Sequence, residues 1–63
     1  MRLIELREKH GLSRKETALK AGVSEVTIWQ YENGNYKPKY DVAKKLAELF
    51  GCTVDEIMAG FDE

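Results

Sequence analysis

A single cysteine, a single histidine and a single proline stand in these 63 residues, and each scarcity excludes something. Cys52 has no second cysteine with which to close an internal disulfide. Together with His10 it falls short of the four side-chain ligands that a structural zinc site takes. Both residues read as packing or surface positions, and no metal or other cofactor is expected. No apolar run nears the roughly 20 residues of a membrane span. Met1-Arg2-Leu3-Ile4 leads into charged positions instead of a signal-peptide hydrophobic stretch, so the sequence predicts a cytoplasmic protein with no membrane partner. A glycine-rich phosphate loop is also missing, as is any paired-carboxylate constellation, and His10 lies near Ser13 only in sequence. No enzyme, no catalytic residue and no small-molecule ligand are therefore expected.

Net charge is scarce too. Ten Lys and Arg against eleven Asp and Glu leave −1, which counts against a nucleic-acid partner, because phosphate neutralisation supplies much of DNA affinity. The distribution reverses that reading. Residues 1–45 carry all ten bases and six acids (Glu5, Glu8, Glu16, Glu25, Glu32 and Asp41), a net +4, while residues 46–63 carry five acids and no base. A basic face and an acidic end can coexist. Apolar residues at 43% and charged residues at 33% suit a compact core. Folding at this length hides only about 60% of the unfolded chain's surface, so one small domain over residues 1–63 is expected, of marginal stability alone and helped by a second protomer.

Caps and periods predict five short helices and no strand. Leu3, Leu6, Arg7 and His10 recur at helical spacing up to Gly11, giving a helix over about 2–10. Ser13 with Glu16 has the spacing of a capping box, which starts a second helix at Arg14 that Gly22 ends. Ser24 caps a third, over 25–33, with Gly34 as its stop. Asn33 to Pro38 has loop chemistry, after which Val42, Ala43, Leu46, Ala47, Leu49 and Phe50 mark a fourth, closed by Gly51. Thr53 with Glu56 repeats the capping box ahead of Val54, Ile57, Met58 and Phe61, a short fifth helix with Gly60 near its end. Only about three residues around Gly22 separate the second and third helices, the connection of a helix-turn-helix unit.

Gly11-Leu12-Ser13, Ala18, Ala21-Gly22-Val23-Ser24, Thr27-Ile28, Glu32-Asn33-Gly34 and Pro38, in this order and spacing, resemble the pattern of the Cro/repressor-type (Xre) helix-turn-helix family. The resemblance implies an all-α, five-helix, lambda-repressor-like domain. In it the third helix enters the major groove of DNA and the second lies across the phosphate backbone. It also implies a structural ion pair between Arg7 and Glu32. The chain departs from the family pattern in three places: Arg14 stands where Gln is usual, Thr17 where Leu is usual, and Leu19 where a polar residue is usual. Arg14 keeps a phosphate contact on this reading, Thr17 weakens the core match, and Leu19 falls outside the buried stripe, available to a partner.

At about 100° per residue, Ile28 and Tyr31 fall on the core side of the third helix, while Glu25, Val26, Trp29, Gln30 and Asn33 share the outward side. Gln30 has the paired donor and acceptor for adenine, Val26 can touch a thymine methyl, and Glu25 can accept from cytosine N4. Trp29 needs a cover, either groove or protein. Arg14, Lys15, Thr27, Asn33, Asn35 and Lys37 are expected to hold backbone phosphates. On this reading Arg14→Glu abolishes DNA binding with the fold intact.

The function expected is sequence-specific binding of double-stranded DNA by a transcriptional regulator, a repressor. The alternative is a protein-interaction module on the same scaffold, antitoxin-like, with Trp29, Leu19 and the acidic end meeting a second protein. Val54, Ile57, Met58 and Phe61 offer more apolar surface than a small core consumes. A symmetric homodimer is therefore expected there, holding two reading helices about 34 Å apart.

Overall fold

The computed structural model describes residues 3–61. Five helices follow in chain order: α1 Leu3–Lys9, α2 Arg14–Ala21, α3 Glu25–Glu32, α4 Tyr40–Phe50 and α5 Val54–Ala59. No strand occurs among the described residues, so the all-helical expectation holds. No helix among them is long and apolar enough to cross a membrane, and no group of His, Cys, Asp and Glu among them is arranged to hold a metal ion.

The starts of α2 and α5 are set locally. Ser13 Oγ accepts the backbone N–H of Glu16 at 3.0 Å, while the Glu16 carboxylate accepts the Ser13 N–H at 3.2 Å. Thr53 and Glu56 repeat the exchange at 3.1 Å in each direction. These two boxes satisfy donors that a helix start otherwise leaves unpaired. Gly22 closes α2 in the left-handed conformation (φ 73°), its N–H bonded to the Ala18 carbonyl, and Val23 N–H reaches the same carbonyl. A Cβ there would sit 3.2 Å from Lys45 Nζ, so both backbone and space favour glycine in the turn between α2 and α3.

α3 ends one residue earlier than the glycine rule predicts. Asn33 caps it, its backbone N–H and its side-chain Nδ2 both donating to the Trp29 carbonyl. α4 begins without a side-chain cap: Lys39, its N-cap residue, has no side-chain oxygen, and the buried Pro38 ahead of it, which has no N–H to continue a helix backward, sets the boundary instead.

The core gathers one face from each helix: Leu3 and Leu6, Ala18 and Ala21, Ile28 and Tyr31, Ala43, Leu46, Ala47 and Phe50, and Ile57. α2 packs chiefly on α3, and α4 on α5 and α2. Thr17 is buried among these residues, and its hydroxyl donates to the Ser13 carbonyl at 2.9 Å. The polar departure from the family's Leu is thereby satisfied inside the helix's own first turn.

The residues expected at a dimer face divide between core and surface. Ile57 is only 2% exposed and belongs to the core. Val54, Met58 and Phe61 are partly buried against that core, Phe61 meeting Tyr31 edge-on at 6.2 Å. α5 packs chiefly on α4, and its apolar side stays partly open at Val54 and Met58. Cys52 also packs at the core's edge; burial, and then the nearby Glu56 charge, push its thiol pKa up and keep it protonated at neutral pH.

Leu46→Ala is expected to cost about 2–5 kcal/mol, since Leu46 is completely buried at the centre of α4. Ser13→Ala is expected to cost about 1 kcal/mol. Ser13 also holds the Glu16 carboxyl below its ordinary pKa, chiefly through the Ser13 backbone N–H and then its hydroxyl. A lowered folded-state pKa contributes stability above the unfolded-state value that is lost as pH falls through the folded one. Urea titrations between neutral and acidic pH should therefore show the Ser13→Ala deficit narrowing in acid by the hydroxyl's share of the Glu16 shift, while the loss of its cap on the Glu16 N–H persists.

Candidate nucleic-acid interface

The third helix sorts its side chains as the wheel predicts. Ile28 and Tyr31 are buried, whereas Glu25, Val26 and Asn33 are exposed, Gln30 is half-exposed and Trp29 is 45% exposed. With Leu19 on α2 (74% exposed), Tyr36 and Tyr40, these account for every large exposed apolar side chain among the described residues. None lies on α1 or α5. The uncovered aromatic surface thus clusters on α3 and the segment leading into α4.

Thr27 and Asn33 are engaged in shaping α3 itself. The Ser24 hydroxyl accepts Thr27 N–H at 3.1 Å and lies 2.8 Å from Thr27 Oγ1. Asn33 spends an amide hydrogen on Trp29. Lys15 and Asn35 are exposed at the start of α2 and just beyond α3.

A groove of about 280 Å³ opens beside α3, lined by Thr27, Gln30, Tyr31, Tyr36, Lys37, Lys39 and Val42. It joins Gln30 on α3 to two lysines at the start of α4. The start of α4 and the lysines beside it give the groove a rim of positive potential. Sequence reasoning included Lys37 but passed over Tyr36, Lys39 and Tyr40. The signal was present in the alternation Tyr36-Lys37-Pro38-Lys39-Tyr40, basic and aromatic residues around a buried proline. Burial, and secondarily the Asp41 charge, raise the Tyr31 hydroxyl's pKa, so the floor of the groove stays neutral.

Behind this face sits a charge cluster. Glu32, at the end of α3, has a side chain only 2% exposed. Its Oε2 accepts Arg7 Nε from α1 at 2.6 Å, and its Oε1 accepts Arg14 Nε from α2 at 2.8 Å. Arg7 also donates from Nη1 to the Leu12 carbonyl at 3.0 Å. No buried side-chain nitrogen or oxygen among the described residues lacks a hydrogen-bond partner. The expected pair is thus a triad, in which Arg7 is 13% and Arg14 40% exposed.

A family model described as helix-turn-helix matches residues 3–57. The chain belongs to the Cro/C1-type helix-turn-helix family. This helix-turn-helix protein is 36% identical over 62 residues to an uncharacterized HTH-type transcriptional regulator of Archaeoglobus fulgidus, covering 98% of its own length and 89% of the relative's. It is 37% identical over 57 residues to another so named from Methanocaldococcus jannaschii, covering 90% and 86%. Against the HTH-type transcriptional regulator AnsR of Bacillus subtilis the identity is 39% over 57 residues, 90% of this chain but 49% of AnsR. All three are named as regulators and none as an enzyme, in line with the non-catalytic expectation. No solved structure matches.

The triad changes what Arg14→Glu tests. A second carboxylate beside the buried Glu32 bears on the fold as well as on any DNA contact, so a loss of binding by that variant reports a DNA contact only where circular dichroism shows it folded. Glu32→Ala, which leaves two guanidinium groups facing an apolar side chain, is expected to lose on the order of 3 kcal/mol. That corresponds to a fall in Tm of roughly 10–20 °C for a domain of this size. Arg14→Ala, at a solvent-accessible position, should lose about 1 kcal/mol or less. Thermal melts followed by circular dichroism check the ranking; equal losses for the two variants would mean that Glu32 is not held as described.

Proposed function

We propose that this helix-turn-helix protein is a cytoplasmic transcriptional regulator, a repressor, that binds duplex DNA sequence-specifically with α3 in the major groove. The observation that carries this reading is the exposed side of α3. Glu25, Val26, Trp29 and Gln30 are solvent-accessible on a helix whose opposite side is locked in the core. Gln30 supplies the paired contact to adenine and Val26 the thymine-methyl contact, while Glu25 accepts from cytosine. Trp29 is covered by sugar and base edges. Arg14, Lys15, Asn35 and Lys37 set register on the backbone without specifying sequence, and Lys39 joins them from the far side of the groove that Gln30 lines. The names of the relatives as transcriptional regulators support the same role.

A second reading has its own observation. Leu19 stands 74% exposed on α2, and an apolar residue so placed suits a protein partner on the same scaffold. The two readings differ in salt dependence, which is steep for phosphate contacts and shallow for apolar ones.

Selection from a randomised duplex library with purified protein, followed by sequencing of the retained pool, tests the proposal. An enriched motif is expected. An inverted repeat with about 10 bp between half-site centres reports two protomers on a two-fold axis, and a lone half-site reports a monomer. An unenriched pool from folded protein would reject sequence-specific DNA binding. Gln30→Ala should lose discrimination at one base position, by about 1–3 kcal/mol, with the remaining positions unchanged.

A further inference from the structure

Arg14 is bound to Glu32 through Nε alone. No hydrogen bond from its two terminal amino groups occurs among the described residues, and the side chain is 40% exposed. Glu32 itself is almost wholly out of water, and its other oxygen is committed to Arg7. The guanidinium is planar, so fixing Nε from the buried side sets the plane of the whole fork and turns the terminal N–H groups toward solvent. Arg14 is the first residue of α2 and is followed by the exposed Lys15.

We propose that Glu32 is a positioning residue for DNA binding: by holding Arg14 Nε from within the fold, it aims the terminal amino groups of Arg14 at a backbone phosphate. The inference rests on the DNA-binding reading above and adds a residue that touches no DNA. Free arginine side chains must be ordered when they bind, at an entropic cost that Glu32 removes in advance. A lysine at position 14 carries the charge but has no Nε–H with which to be held while a second group binds phosphate. Glu32 also brings a negative charge near the DNA, so charge alone predicts that neutralising it tightens binding, whereas the positioning role predicts that binding weakens. The two differ in sign.

The test measures binding to a mixed-sequence duplex of two helical turns, about 20 bp, over about 50–200 mM KCl. A phosphate contact acts on every sequence alike. The temperature is kept where circular dichroism shows each variant folded. Arg14→Ala should weaken binding and reduce the slope of log K against log salt by about 0.9. Arg14→Lys should keep the parent slope and still bind about tenfold more weakly, the loss of one charge-assisted contact. Glu32→Gln should weaken binding in the parent but not in the Arg14→Ala background. Arg14→Lys binding like the parent would overturn the proposal, as would Glu32→Gln tightening binding or weakening it equally in both backgrounds. Should Glu32→Gln not fold, the Arg14→Lys comparison decides alone. A parent protein that binds no duplex overturns the DNA reading, and this one with it; a parent that binds while Arg14→Lys binds equally overturns this one only.

Discussion

The Glu32 carboxylate lies almost entirely out of water, and that is tolerable only because two guanidinium groups reach it from two other helices. The requirement constrains the rest of the fold. α1 must bring Arg7 to the end of α3, and the chain after α1 must turn so that the Leu12 carbonyl accepts a second Arg7 donor, from Nη1. α2 must then start where Arg14 can reach the second carboxylate oxygen, a position fixed by the Ser13 and Glu16 capping box one residue away. A charge-assisted contact of this kind adds directional demands to a core of aliphatic side chains that by themselves tolerate sliding.

The apolar residues divide in a way that follows from size. With so little interior, each of the five helices gives its apolar stripe to one core, α5 included. Apolar side chains left over are few, and they lie on α2, α3 and the approach to α4, not on α5. Surface that costs solubility is thus concentrated where a polyanion with an apolar groove floor could cover it, and the lysines at 37 and 39 flank the same region.

Features governed by a few neighbouring residues were legible in the sequence. Ser13 with Glu16, Ser24, and Thr53 with Glu56 each act within one helical turn, and the three helix starts fall where their caps place them. The inward side of α3 was legible from its period for the same reason. The start of α4 was less so, because Lys39 gives no capping signal and the boundary is set by Pro38. Arg7 and Glu32 lie 25 positions apart, and no local rule joins them; their pairing came from family resemblance. That Arg14 shares the same carboxylate depends on how closely two helix ends approach, which neither spacing nor resemblance carried. The burial of Ile57 was missed for a related reason: whether an amphipathic stripe meets its own core or a second protomer depends on how much partner surface the fold supplies.

The setting of the reading helix shows why these constraints act together. Successive residues on α3 are turned by about 100°, so a rotation of one residue would carry Trp29 toward the core and Ile28 into water. Ile28 and Tyr31 resist that rotation through burial alone, which is strong but broad in angle. Glu32 resists it differently, since two hydrogen bonds to opposite oxygens fail with a small displacement. Apolar packing chooses which side of α3 faces outward, and the triad refines the angle at which it does so. The base-edge hydrogen bonds proposed for Gln30 would be as sensitive to distance and angle as the triad's own. On the proposed DNA-binding reading, the charge cluster lies one layer beneath the surface that would meet DNA and helps to set its angle.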